Sequence, residues 1–268
     1  MMKKITLLLL FIFSLPQAPH ALAHEPIFGL GPHTMYQYGY AFSLELERGD
    51  LGWGNQLELL YGVTPDFSLT VVGPWLYADE QRGAGFGDMV VRGKYRFFRQ
   101  DMYRASRQAA LHAGIKLPSG NRDRQLGSGT TDFFVGASFG YESRRSYFFS
   151  GIRYHRNGTW QGFDRGDALR YNLAVGIRPW QLEYHQPDPV FILEVNGGIN
   201  GRNKMSGQTI SQSGGRYLSV GPGLLFSYRN IMYKAGVSVP VVQQFNDASR
   251  KASTEFLLAI EVHLPPIR

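Results

Sequence analysis

Charged and apolar residues alternate one for one in the stretch MVVRGKYRFF, residues 89 to 98. A helix would spread such residues around its circumference, whereas a β-strand sends successive side chains to opposite faces. One face would be cationic and the other apolar, formed by Arg92, Lys94 and Arg96 and by Val91, Tyr95 and Phe97. The chain must therefore fold into a sheet with one face in apolar surroundings and the other face in polar surroundings.

The same period of two recurs along the chain, in segments bounded by turn residues. A composition with 32 glycines, 14% aromatic residues and only 18% charged residues agrees with an all-β protein. We predict twelve strands, at residues 35–48, 51–63, 67–76, 87–99, 108–118, 131–142, 146–156, 168–179, 189–199, 215–229, 231–243 and 253–264. Pro222 and Pro240 fall inside two of them and would each delete a ladder hydrogen bond, so bulges or shifted boundaries are expected there.

The connections between these segments alternate in length. Tight links such as residues 64–66 and 229–230 follow even strands, whereas the long segments 119–129, 157–166 and 201–215 follow odd ones. Short turns at one end and long loops at the other predict a transmembrane antiparallel β-barrel with a periplasmic N-terminus. A cation facing lipid near the midplane costs about 2 to 4 kcal/mol, so the cationic face must line the lumen. A soluble sandwich or barrel also alternates and stays open as the alternative.

The N-terminus resembles an export signal. Lys3 and Lys4 precede a short apolar run, and Ala21-Leu22-Ala23 offers a small-residue cleavage site. We predict a cleaved signal peptide at residues 1–23 and one barrel domain at residues 24–268, in the outer membrane of a Gram-negative bacterium. Cleavage would leave 26 of the 28 basic residues against 21 acidic ones, a mature charge of about +5. The chain has no cysteine, so neither disulfides nor thiolate chemistry enter.

Successive side chains of a strand point alternately to the lumen and to the lipid. Assigning the inward residues in this way, which we call strand parity, predicts a lumen with two walls of opposite charge. The basic wall would consist of Arg92, Lys94, Arg96, Lys116, Arg153, Arg170 and Arg178, and the acidic wall of Glu45, Glu47, Glu58, Glu194, Glu255 and Glu261. Across a water-filled constriction such walls would orient dipolar solutes and filter ions. The other reading is a mostly occluded lumen in which these residues pair with one another and hold a narrow barrel together. Twelve strands lie between the widths of filled and open barrels, so barrel width does not choose between the two.

Glycine-rich motifs at strand ends carry a family resemblance, over about residues 83–142. They are Gly85-Phe86-Gly87-Asp88 before Lys94-Tyr95, then residues 114–120, GIKLPSG, then Leu126-Gly127-Ser128-Gly129 ahead of Asp132. The pattern resembles that of the outer-membrane family called putative meta-pathway of phenol degradation. That resemblance implies a barrel transporter for aromatic or other hydrophobic compounds. Parity places Asp88 and Asp132 at the lumen mouth, either as a site for solute or cation or as caps of loop backbone amides.

Other kinds of site have weaker support. His24 would be the first residue after cleavage and could chelate copper through its amine and imidazole, although an ordinary tail fits as well. No His lies two residues before a Ser, as membrane-embedded hydrolases require, and GAGFGD precedes a predicted strand and not a helix. We therefore expect no enzyme activity and no cofactor.

The expected partners follow from an envelope location, and nucleic acid is not among them. Cationic loops could bind lipopolysaccharide phosphates, and the barrel-assembly machinery would insert the chain, although it ends in Pro265-Pro266-Ile267-Arg268 and lacks a terminal aromatic residue. The sequence predicts an outer-membrane channel or transporter for small solutes, aromatic or hydrophobic ones included. The alternatives are a non-conducting structural or surface-interaction barrel, or a metal-linked envelope protein.

Overall fold

The computed structural model describes residues 25–50, 52–80, 82–180 and 186–266. The predicted signal peptide and His24 lie outside these residues. Within the described part of the chain, no helix has the length and apolar character needed to cross a membrane.

The fold is a closed antiparallel barrel of twelve strands, as the sequence predicted. We number them β1 to β12: Tyr40–Gly49, Gly52–Thr64, Phe67–Leu76, Val90–Met102, Ala105–Lys116, Asp132–Ser143, Ser146–Arg156, Ala168–Ile177, Asp188–Asn200, Gly215–Tyr228, Ile231–Phe245 and Glu255–Leu264. Each strand pairs with its neighbours in sequence, and β1 closes the barrel by pairing with β12 from Tyr40↔Leu264 to Arg48↔Phe256.

Most strand ends lie within three residues of the prediction, and two differences are informative. β1 begins at Tyr40 and not at 35, because residues 35–39 are not part of the ladder and Tyr38 has a left-handed φ of 62°. The β4–β5 hairpin extends three residues further than predicted on each side, and turns at Arg104, whose φ is 59°. A polar hairpin end carries no apolar alternation once it extends past the lipid, so parity could not find its limit.

The barrel wall is apolar outside and mixed inside. Val135, Ile177 and Leu258 on the outer face are 59%, 61% and 57% exposed. Tyr95 and Phe97 also face outward, as predicted, while Arg96 is buried inside. A register shift between Arg96 and Phe98 places both Phe97 and Phe98 on the exposed face.

The two prolines mark irregular positions in β10 and β11, which confirms the expectation of bulges. A register shift lies at Leu218/Ser219, opposite Pro240, and the described β10–β11 pairing passes from Val220 to Gly223 without Gly221 and Pro222. Beside them a pocket of about 450 Å³ opens on the outer face, lined by apolar side chains that include Trp53, Phe191 and Phe256. The pocket therefore lies beside the interruption in the hydrogen-bond ladder between β10 and β11.

The long loops cap one end of the barrel. Gly85–Phe86 pairs with the end of β3 in the loop that follows it. Two loops jointly form a small four-stranded sheet in the order Gln208–Thr209, Lys204–Met205, Phe163–Asp164, Thr159–Trp160.

Candidate functional site: the lumen and its N-terminal segment

Residues 25–35, which we call the plug, lie inside the barrel. The backbone N–H groups of Ile27 and Phe28 donate to the two carboxylate oxygens of Glu194 on β9, the Phe28 bond measuring 3.1 Å. The N–H of Leu30 donates to Asn172 Oδ1 on β8 at 3.1 Å. Glu194 is only 1% exposed, so the wall offers a buried acceptor to backbone groups that would otherwise lack one.

Further bonds join side chains and backbone groups of the plug to the wall. Lys94 donates to the carboxylate of Glu25 and, at 2.7 Å, to the carbonyl of His33. The His33 ring lies 3.2 Å from Glu142 on β6. The N–H of Met35 donates to Ser68 Oγ at 2.8 Å. The plug is thus tied to the wall around much of the lumen.

Burial alone would raise the pKa of the Glu25 carboxyl. Lys94 and His33 outweigh this effect, and the pKa lies below its ordinary value of 4.5. Glu25 is therefore ionised at neutral pH, and its bond to Lys94 is charge-assisted.

Glycines on the inner wall make room for the plug. A Cβ built on Gly223 would lie 2.2 Å from Ile27, and one on Gly236 would lie 2.8 Å from Phe28. Ile27 joins the buried apolar cluster that includes Tyr147, Phe149, Val190, Ile192 and Leu225, and Phe28 packs against that cluster. The plug therefore completes the apolar core of this half of the barrel.

The predicted basic wall divides into separate groups. Lys94 holds the plug. Arg96 lies at the short-turn end, where it donates to Asp66 at 2.8 Å, and Arg178 lies at the same end, 2.6 Å from Asp188. Lys116 lies at the mouth. Of the predicted basic wall, only Arg92, Arg153 and Arg170 form one group in the lumen. Arg92 and Arg170 both lie close enough to Arg153 to repel its charge.

The predicted acidic wall divides in the same way. Glu45, Glu47 and Glu58 lie close together, and Glu255 lies near Glu47 and Asp50. Glu58 accepts from Arg92 at 2.8 Å, and Glu47 accepts from Gln56 at 2.5 Å. Glu194 holds the plug instead of facing a solute path. Carboxylates thus gather on β1, β2 and β12, across the lumen from Arg153.

Lys234 is a lumen residue that belongs to neither of the two predicted walls. It lies on β11 and donates to Glu261 at 2.9 Å, and His263 contacts the same carboxylate. Strand parity would have placed it inside, because it shares a face with the wall glycine Gly236. Glu261 therefore has cationic and imidazole neighbours, and does not extend a purely acidic wall.

Both mouth aspartates accept backbone amides of the outer loops. Asp88 accepts from the N–H of Gly120 at 3.0 Å and of Ser128 at 2.7 Å. Asp132 accepts from the N–H of Gly158 at 2.9 Å and lies 2.5 Å from Lys116 and 2.6 Å from Arg165. These contacts match the capping interpretation of the two residues more closely than an open cation site. No cluster of three or more potential metal ligands occurs among the described residues.

Comparisons with known proteins place the fold. A family model described as "Putative MetA-pathway of phenol degradation" matches residues 34 to 253. The structure is similar to that of the COG4313 outer membrane channel from Pseudomonas putida F1, with a TM-score of 0.62 and 11% identity over 90% of this chain and 100% of that chain. No curated protein sequence matches.

Two further solved structures are less similar. The KdgM porin matches with a TM-score of 0.45 and 11% identity, over 83% of this chain and 98% of that one. OccD1 (OprD) matches with a TM-score of 0.44 and 10% identity, over 94% and 73%. At 11% identity, the likeness to the COG4313 outer membrane channel concerns the fold alone, and it agrees with the twelve-stranded barrel described above.

Proposed function

The chain belongs to the family described as "Putative MetA-pathway of phenol degradation", and from this premise we propose that it is an outer-membrane channel for small solutes, including aromatic or hydrophobic ones. In this proposal the plug closes the lumen at rest and leaves it when a solute passes. The observation that carries the proposal is that the plug is a separate segment inside a complete wall. The twelve strands close on one another without it, so its departure would open a path and leave the ladder intact.

The chemistry of the plug contacts supports a reversible closure. They are hydrogen bonds and ion pairs to inward side chains, such as the bonds to Glu194 and Asn172, and not strand pairing with the wall. Water in an open lumen could satisfy the same groups, so leaving costs much less than breaking a ladder.

The exposed face of the barrel fits a location in a membrane. Apolar and aromatic residues face outward on every barrel strand described above, and cations such as Arg92 and Lys94 face inward. We propose contact with outer-membrane lipid, and insertion by the barrel-assembly machinery. Cations of the outer loops would face lipopolysaccharide phosphates, apart from Arg165 and the buried Arg82, which already pair with Asp132 and Asp79.

The filled lumen also fits the second candidate, a non-conducting structural barrel. Conductance of the refolded mature chain in planar bilayers separates the two, measured beside a variant that lacks residues 25–33. The channel proposal expects rare or small steps from the full chain and frequent, larger steps from the shortened one. Absence of steps from a shortened chain that still shows the heat-modifiable gel mobility of a folded barrel would refute the proposal.

A variant of the basic group tests ion selection in the same assay. Changing Arg92 and Arg153 to Gln in the shortened chain should lower its anion preference, because both cations face the lumen. The matched control is Arg99→Gln, which removes an exposed cation near the short-turn end of β4. An equal change in selectivity in both variants would mean that the lumen cations do not select ions.

A further inference from the structure

Arg153 is a cation of the lumen wall that has no acidic partner among the described residues. It lies on the inner face of β7, two positions beyond Gly151, where a Cβ would lie 3.0 Å from Leu30 of the plug. The Nε atom of Arg153 is buried and makes no hydrogen bond in the described part of the protein, and the same holds for Nε2 of His155, the next inward residue. Arg153 as a whole is only partly buried, but a buried N–H donor without an acceptor is costly unless a ligand supplies one.

The surroundings of Arg153 add positive charge. Arg170 on β8 is its direct partner in the strand register, and like charges in that position repel. Arg170 donates to the Leu169 carbonyl at 3.2 Å and to Asn200 Oδ1 at 2.8 Å, which are neutral acceptors. Arg92 is the third cation nearby and is balanced by Glu58. Arg153 and Arg170 thus lie side by side, and neither forms an ion pair in the described part of the protein.

We propose that Arg153 and Arg170, with His155, bind the carboxylate of a small aromatic acid on the loop side of the plug. The inference rests on the proposed channel function and names a solute class for it. A carboxylate would give Arg153 the missing acceptor, could bind a guanidinium through two parallel bonds, and would relieve the repulsion between the two arginines.

Aromatic rings around the arginines extend the site beyond the carboxylate. The Arg153 guanidinium lies 5.4 Å from the centre of the Phe134 ring, and the His155 ring lies 5.4 Å from the same ring. The Arg170 guanidinium lies 5.7 Å from the Tyr217 ring. A ring attached to the carboxylate could stack on these groups, whereas an inorganic anion could not.

Glycines leave space on the wall beside these side chains. A Cβ on Gly198 would lie 2.5 Å from the Tyr217 ring and 3.0 Å from Arg170, and one on Gly136 would lie 3.3 Å from Arg153. The large side chains therefore pack flat against the wall. The plug forms the floor of the site, since Asn172, one inward position below Arg170, binds the N–H of Leu30.

Two carboxylates lie near the site. Asp132 is close to His155 but already accepts hydrogen bonds from Lys116 and Arg165. Glu255 lies on β12 and is near enough to Arg170 to attract it, without forming an ion pair with it. The carboxylates on β1, β2 and β12 would repel an anion towards Arg153. An aromatic acid would thus be oriented, with its carboxylate on the arginine side.

The test is benzoate binding to the refolded mature barrel in detergent, measured by titration calorimetry. Acetate lacks the ring and toluene lacks the carboxylate, so both should bind at least about tenfold more weakly than benzoate. Arg153→Gln should weaken benzoate about tenfold, and Arg153→Lys should fall between, because it keeps the charge and loses the two-bond geometry. The control is Arg156→Gln, which removes an exposed cation three residues along the same strand and should leave binding unchanged.

Three results would overturn the proposal. They are no benzoate binding to a folded wild-type barrel, equal binding of acetate or toluene, and equal loss in the Arg153 and Arg156 variants. Heat-modifiable gel mobility confirms that each variant is folded. Binding at equilibrium needs no conduction, so a barrel that binds benzoate but shows no steps would refute the channel alone, and one that conducts but binds nothing would refute this site alone.

Discussion

Glu194→Gln is the change that most directly tests how the plug is held. The carboxylate accepts the N–H groups of Ile27 and Phe28 and is almost fully buried. Gln has nearly the same shape but presents one oxygen and one NH₂ group. It can accept one of the two N–H groups, and its own NH₂ then faces the other, so one bond is lost.

The expected magnitude follows from the kind of bond that is lost. A hydrogen bond to a charged group contributes about 1.5 to 3 kcal/mol. Docking of the plug removes water from the Glu194 carboxylate, and this desolvation costs free energy that a neutral Gln would lose less of. The cost offsets part of the lost hydrogen bond, so the lower end of this range applies. About 1.5 kcal/mol corresponds to a roughly tenfold larger population with the plug undocked.

A single introduced cysteine can report that population, because the chain contains none. Ile27→Cys places a thiol at a plug position that is 8% exposed and leaves its backbone N–H in place. Its rate of labelling by a water-soluble maleimide should rise about tenfold when Glu194→Gln is added, if docking equilibrates faster than labelling. Conductance steps of the same protein should become more frequent.

The control is Glu255→Gln, the same chemical change at another inward carboxylate, on β12, which the plug does not contact in the described structure. It should leave the labelling rate unchanged. Equal rates for the Glu194 variant and the wild type would mean that these two bonds do not hold the plug. Equal acceleration in both variants would mean that the lumen charge, and not the contact, controls docking.

Three further expectations concern the wall, the plug and the mouth. Gly221→Ala should destabilise the barrel by about 1 to 3 kcal/mol in urea titrations, because its Cβ would lie 1.6 Å from the Val237 carbonyl oxygen; Gly73→Ala, with open space around it, should not. The pKa of Glu25 is lowered in the docked state, so its contribution to docking is complete above the ordinary value of 4.5 and is lost as the pH falls from there through the lower docked pKa. Step frequency should be flat from neutral pH down to the ordinary value, rise as the pH falls towards the docked pKa, and level off below it. Asp132→Asn removes the negative charge that pairs with Lys116 and Arg165. The outer loops should then open more often, and their limited proteolysis should become roughly tenfold faster. An unchanged rate would mean that these two ion pairs do not order the loops.

Parity and loop length were sufficient to predict the barrel because both arise from the membrane itself. Lipid requires an apolar outer face at every strand. Apolar residues such as Leu258 and Val135 therefore recur at every second position where a strand crosses the membrane. Where that requirement ends, prediction weakened. The ladder continues through Arg99↔Gln108 and Gln100↔Arg107 without any apolar pattern, which is why the hairpin end was misplaced.

The plug was not predicted, because its partners are far away in sequence. Ile27 and Glu194 are 167 positions apart, and Leu30 and Asn172 are 142 apart, so no local pattern joins them. The alternation read in residues 35–39 also drew this stretch into the first strand. One signal was present: Gly223 and Gly236 fall on inward positions of β10 and β11, and adjacent small residues inside a narrow barrel leave room for another segment of chain.

The same packing constrains how a channel of this kind could open. Ile27 belongs to one apolar cluster with Phe149 and Leu225, so an undocked plug would expose those side chains and the glycine-lined space beside them to water. Burying an Ile side chain contributes about 1.5 to 3 kcal/mol, which opening forfeits unless something else fills the space. An apolar or aromatic solute can do so, and a strongly hydrated one cannot. If the barrel is a channel, opening should therefore be coupled to the arrival of a solute with apolar surface, and toluene should accelerate labelling at position 27 more than acetate does.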